Sequence, residues 1–421
     1  MRIKRYTTLS VFTLLTFVGS AFAGGSVYSR YGIGDLQYGG TRASAMGVAG
    51  VALSGANAIN SYNPAGLSQI QITRFAGDFS DTHYSSQDVN GSATYNVAAF
   101  QGVAFAFPIA HDYGIALSLE LNPISSVRYG INYNTTDTIY GERQISIYGK
   151  GGLSSLSLGL SYSPFTALQT GIKVNYIYGR IEQYQNVTFT NSDLSSDEFD
   201  RSAYYSGVNF TIGLLYHGFQ DIFDRPALAP LTVGFVFSNA STFNVDEQRT
   251  YTSVDTTNTI SGTSTFPYTL GLGLSYTWND RYLLSGDVVF QNWGSSKYFD
   301  ADRVDILSDG QLAKIKNSTR VGLGVEIAPL HDASTYFSNI IYRFGVTYNS
   351  TYYNIGGNTI DEYDINGGLG IPIGPDTRLN VGLQFGVRGT LTDNLVKDTF
   401  LRLSVGISAS ELWFFKIEEE Q

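Results

Sequence analysis

Metal or covalent chemistry in this chain would have to come from 4 histidines and a short aspartate cluster, because it has no cysteine. His83, His111, His217 and His331 stand at least 28 positions apart (111 − 83) and form neither HExxH nor a paired-ligand spacing. Each reads as a turn or lumen residue. Asp300, Asp302 and Asp305 resemble a loose calcium site, yet they lack the regular spacing and glycine of a calcium loop, and a solvated acidic loop is the better reading. The missing cysteine removes thiolate zinc, thiol nucleophiles, iron–sulfur clusters, disulfides and a lipid-modified N-terminus. No Gly-x-Ser-x-Gly elbow, P-loop or dinucleotide fingerprint falls at a strand-to-helix junction. The sequence therefore predicts no enzyme, no metal and no cofactor. The residues left to carry function are those that shape a wall and whatever fills it.

Composition says where such a wall would stand. Of 421 residues only 15% are charged, against about 25% in ordinary soluble domains. Past the N-terminus no apolar run approaches the roughly 18 residues of a membrane helix. The first 23 residues carry Arg2, Lys4 and Arg5, an apolar stretch from Leu9 to Val18, and Ala21-Phe22-Ala23, which is the order of a secretory signal. A short buried helix is the weaker alternative. Removing the segment changes the net charge from −10 to −13, by the loss of three cations. Nucleic acid is excluded as a partner, since its phosphates demand the opposite sign.

From about residue 70 to 415 the sequence alternates with period two. Leu270, Leu272, Leu274 and Tyr276 share one face of a strand, opposite Gly271, Gly273, Ser275 and Thr277. Leu156, Leu158, Leu160 and Tyr162 oppose Ser155, Ser157, Gly159 and Ser161; Val321 to Ile327 oppose Arg320, Gly322, Gly324 and Glu326; and Leu401 to Ile407 oppose Arg402, Ser404, Gly406 and Ser408. A soluble sandwich or propeller would carry Lys, Glu and Thr on its second face. A barrel with lipid outside and a crowded lumen inside explains glycine and serine there better.

Strands are predicted at 70–87, 94–108, 114–130, 145–163, 168–190, 203–219, 230–246, 264–278, 281–296, 317–329, 339–352, 360–373, 378–391 and 399–415. That makes fourteen, an even number as a single-chain bacterial barrel requires. Even-numbered strands end in tight-turn chemistry, at Pro108 with His111 to Gly114, Pro164, Asp224-Arg225-Pro226, Asn279-Asp280, Pro329 and Gly374-Pro375-Asp376. Odd-numbered strands end in polar loops such as 131–144, 191–202, 247–263 and 297–316. The predicted fold is all-β, a 14-stranded antiparallel transmembrane β-barrel in the outer membrane of a Gram-negative bacterium. Tyr176, Tyr178, Tyr184, Tyr342, Tyr348, Tyr352, Tyr353 and Trp413 to Phe415 are expected to form an interfacial girdle, although β propensity alone also favours tyrosine.

Residues 24–69 lack this alternation and are rich in glycine and alanine. Too small for a core of their own, they are expected either as a tail or as a plug inside the lumen. Here the sequence resembles the FadL family of outer-membrane transporters for hydrophobic compounds. The matching residues are Arg42, Met46, Gly47, Ala49, Gly50, Ala52, then Asn63, Pro64, Ala65, Gly66 and Leu67, leading into the first strand. The resemblance implies a fourteen-stranded barrel with an N-terminal hatch. It also implies passive uptake of a hydrophobic small molecule such as a fatty acid. Pro123 lies in the third strand, GIALSLELNPISSVRYG, and cannot donate a ladder hydrogen bond. The family resemblance makes it a candidate for a lateral gap in the wall; a bulge or the edge of the membrane span is an equal alternative.

Two departures bear on function. The inward faces read as Gly, Ser and charge instead of large apolar side chains, and the chain runs on past Phe415 as an acidic tail, 416–421. FadL-like barrels also resemble the PorV-type shuttle that binds exported proteins, so a non-transport scaffold is the competing class. An apolar lumen favours transport, and a filled lumen beneath long ordered external segments favours binding. The expected surroundings are outer-membrane lipid around a monomer, with protein partners unspecified.

Overall fold

The computed structural model describes residues 24–411, apart from 139–140, 192, 252–255, 297–312, 331–334 and 375. The signal segment, the 300–305 aspartates, His331, Trp413 to Phe415 and the acidic tail lie outside the described residues. A short N-terminal region carries β1 (Asp35–Leu36), α1 (Thr41–Ala45) and a 3-10 turn, Pro64–Gln69.

The wall then begins with β2 (Thr73–Gln87) and β3 (Ser92–Ala110). Its third stave is divided into β4 (Ile115–Pro123) and β5 (Ser125–Asp137). Next come β6 (Gly141–Phe165), β7 (Leu168–Phe189) and β8 (Asp197–Tyr216). The seventh stave joins β9 (Leu231–Ser238) to β10 (Ser241–Tyr251), and the eighth joins β11 (Thr256–Phe266) to β12 (Thr269–Trp278). After β13 (Tyr282–Gln291), the tenth stave is β14 (Ala313–Ile315) with β15 (Ser318–Ile327). The ring finishes with β16 (Ile341–Ile355), β17 (Asn358–Pro372), β18 (Arg378–Gly389) and β19 (Lys397–Glu411). β19 pairs antiparallel with β2 from Lys397↔Gln87 to Glu411↔Thr73 and closes a barrel of fourteen staves. Closure satisfies the backbone groups that an open edge would leave bare in lipid.

The alternation sets which face is which. Leu272 and Leu274 are 60% and 55% exposed, whereas Ser275 is 7% exposed; the same contrast separates Leu323 and Leu403 outside from Arg320 and Ser404 inside. The greasy face points outward, as a membrane-spanning barrel requires.

Three expectations need correction. The supposed loops 131–144 and 247–263 are largely strand: β5 runs to Asp137, β6 starts at Gly141, and β10 and β11 form a hairpin paired from Ser241↔Phe266 to Tyr251↔Thr256. Their alternation is polar against polar, so the sequence shows no contrast, but ladder bonding needs none. The connection at Asp224-Arg225-Pro226 is longer than a tight turn and holds a helical turn, Phe219–Phe223. Tyr352 and Tyr353 are buried, not interfacial. A register shift between Ser350 and Asn354 interrupts the β16–β17 ladder there, and both rings join the interior core. Tyr176, Tyr178 and Tyr342 do face outward.

Candidate functional site

The N-terminal region packs against inward-facing positions of the wall. Arg42, on α1, makes a two-pronged pair with Glu326 of β15, both N–O distances being 2.9 Å, and Glu326 also accepts from Arg343 Nε at 2.7 Å. One wall carboxylate thus holds one cation from the N-terminal region and one from β16. Met46 is fully buried, and its backbone and that of Gly47 lie directly on Gly322, Gly324 and Gly345, where a Cβ would collide with them. Gly47 has φ +68°, which a side chain disfavours.

Asn63 acts as a rivet. Its Oδ1 accepts from the Ala65 N–H at 3.0 Å and caps the Pro64–Gln69 turn, while its Nδ2 donates to Val51 O at 2.7 Å and to Leu214 O of β8 at 3.1 Å. Pro64 opens that turn, where a missing N–H costs nothing. Pro64 and Ala65 lie against Gly171 and Gly213 of the wall, and Gly66 lies beside Asn60 and the Leu53 carbonyl. The lumen-facing glycines noted in the sequence are therefore close-approach positions.

Several residues tie the two regions together; of these only Arg320 was named from the sequence, as an inward-facing position without a partner assigned. Asp287 of β13 accepts from the Val51 N–H at 2.6 Å and from the Gly50 N–H. Arg320 stacks its guanidinium 4.1 Å from the ring centre of Tyr38. Arg388 meets Asp35 at 2.9 Å and approaches Glu362 and Asp398 at 3.6 and 3.7 Å. The available signal was charge at inward positions of alternating strands, which marks a polar lumen but not its pairings.

An aromatic and aliphatic core fills part of the interior beside the Arg388 ion pairs. Tyr28, Tyr31 and Ile33 of the N-terminal region pack with Leu153, Phe243, Phe266, Trp293, Tyr352 and Ile360 of the wall. Trp293 stacks on Tyr352 at 4.8 Å, and Phe243 meets Phe266 edge-on at 4.2 Å. Nearer the short turns there is a cavity of about 570 Å³, bordered by Arg42, Asp78, Lys173, Arg281, Glu326 and Arg343 among others. Its border is mixed: these charged groups alternate with apolar ones such as Leu53, Ile59, Val103, Leu283 and Ile341, and it reaches Pro123 of the third stave.

At the third stave, β3 pairs with β4 only as far as Val103↔Leu121. Pro123 is the last residue of β4, opposite Ser154, and the chain is interrupted at Ile124 before β5 resumes pairing with β6. Among the described residues no ladder joins β5 to β3. Instead β1 pairs with the start of β5, Asp35↔Ser126 and Leu36↔Ser125, and Arg128 Nη1 reaches across to the Ala98 carbonyl at 3.3 Å. His83, exposed on β2, bonds Asn96 at 2.8 Å, and among the described residues no group of side chains could hold a metal ion.

A closed barrel of fourteen staves with an N-terminal region packed on its inner face has the fold of the FadL-type outer-membrane transporters. The toluene transporter TodX of Pseudomonas putida superposes with a TM-score of 0.58 at 15% identity, covering 90% of this chain and 99% of that one. A FadL homologue of Pseudomonas aeruginosa gives 0.56 at 13% identity, covering 90% and 100%. The toluene transporter TbuX of Ralstonia pickettii gives 0.54 at 13%, covering 89% and 99%. These identities establish shared fold. No curated protein matches in sequence. The chain belongs to the BamG family, whose model matches residues 2–418.

Proposed function

We propose that this protein is a non-enzymatic outer-membrane barrel that works by binding a polypeptide partner. In this reading residues 1–23 are a removed signal, residues 24–69 are a plug, the tail 416–421 stays in the periplasm, and a single copy is surrounded by outer-membrane lipid. The observation that carries the reading is the buried, charged and aromatic interior. Inward-facing Arg320, Arg343, Arg388, Asp287 and Asp398 are all buried, so a hydrophobic solute crossing the whole lumen would have to displace ion pairs as well as packed side chains. Long paired segments above the lipid belt supply an ordered outer surface instead.

A second reading, passive uptake of hydrophobic small molecules such as toluene or a long-chain fatty acid, is favoured by one feature, the interruption after Pro123. There the missing β3–β5 ladder gives the interior a side route to the lipid. Accumulation of radiolabelled toluene and oleate separates the two, measured in cells with and without the chain in an outer membrane lacking other hydrophobic channels. The binding reading expects equal accumulation. Uptake that rises with the amount of chain and falls in Pro123→Val would overturn it in favour of transport.

A further inference from the structure

We propose that the break in the third stave is a docking site for one extended polypeptide strand with alternating apolar residues. The inference rests on the binding reading above and names where and how the partner is held. The protein already seats a strand in the lower end of the break. β1 pairs with Ser125 and Ser126 on one side, while Gln37, just after it, meets Gln101 of β3 side chain to side chain at 3.5 Å on the other. At that level the N-terminal segment thus bridges the two edges, by backbone pairing to β5 and by a side-chain contact to β3.

Above it the same two edges continue. Arg128 presents both its N–H and its carbonyl to Ser29 Oγ, at 3.1 and 3.0 Å, so the even-numbered residues of β5 turn their peptide groups toward the break. The Ala98 carbonyl, which accepts from Arg128, shows that β3 does likewise. Beyond Arg128, residues 130–136 of β5 and 92–96 of β3 have, among the described residues, ladders only on their far sides, to β6 and β2, with Gly24 lying against the Tyr95 side chain. Edges of this kind recruit added strands.

The faces set the partner's pattern. Val127, Tyr129, Ile131 and Tyr133 form an apolar row on the inner face of β5, packed with Ile145 and Ile147, whereas the outward Asn132 and Asn134 are exposed. An inserted strand would extend the apolar row with every second residue and keep the others wet.

The test uses a fluorescent ten-residue peptide of alternating valine and threonine, titrated by anisotropy against the full chain in detergent micelles. A twin peptide is N-methylated at alternate residues, which blocks one edge without removing apolar surface. The expected result is saturable binding of the plain peptide and at least a tenfold weaker affinity for the methylated one. Asn134→Pro, which removes a donor facing the break and leaves the β6 ladder intact, should weaken the plain peptide several-fold. Should that variant misfold, the two peptides on the unaltered chain still decide. Equal binding of both would show that apolar contact alone is at work, as for a lipid chain or small solute, and overturns the proposal; so does no binding. Toluene uptake with strand pairing intact would sink the binding reading and spare this site. Loss of pairing without uptake would do the reverse.

Discussion

At the scale of single residues, the joint between the N-terminal region and the wall depends on a few buried polar groups. Asn63→Ala strips the cap from Ala65 and leaves the Val51 carbonyl without its side-chain donor. Each buried group left unpaired costs about 1–3 kcal/mol, so urea unfolding in micelles should show a loss of that order. Glu326→Gln leaves Arg42 and Arg343 without their shared carboxylate. Breaking a buried pair costs roughly 3–5 kcal/mol. Lys150→Met, by contrast, removes an ion pair to Glu182 whose lysine is 60% exposed, and should change stability by less than about 1 kcal/mol. Equal effects of Glu326→Gln and Lys150→Met in the same unfolding assay would contradict the buried network.

At the scale of elements, the staves were legible wherever one face is apolar and the other is not, as in β12, β15 and β19. They were illegible in β11, whose Thr-Thr-Asn-Thr start alternates between two polar faces, and at Tyr352-Tyr353, where a local register shift defeats period two. The Asn63 to Gly66 turn could be found because its residue types each have a local reason. The Asp35–Arg388 pair could not, since its partners stand 353 positions apart and only closure of the ring brings them together. The inward glycines carry a direct prediction about how elements meet. Gly324→Leu puts a side chain where the Met46 backbone lies, and the wall, paired on both sides of β15, is the less yielding partner. Proteinase K should then cut within residues 24–69 while the barrel stays resistant. Unchanged resistance of that region would mean that it does not rest on the wall at this point.

At the scale of the whole molecule, the barrel carries its apolar surface outside and its charge inside, and the N-terminal region contributes to both the aromatic core and the ion pairs that occupy the interior. Tyr28, Tyr31 and Ile33 supply part of that core, Asp35 and Arg42 part of the ion pairing, and Val51 and Asn63 part of the backbone contact with the wall. Taking this region away removes what fills the interior and, of the ladders, only β1–β5, leaving every stave-to-stave ladder of the ring in place. Planar-bilayer recording tests that most directly, comparing the intact chain with one lacking residues 26–62. The account predicts a silent intact chain and stepwise ionic conductance from the shortened one. Steps of equal size from both would contradict it, because the interior would then be open whether or not the N-terminal region is present.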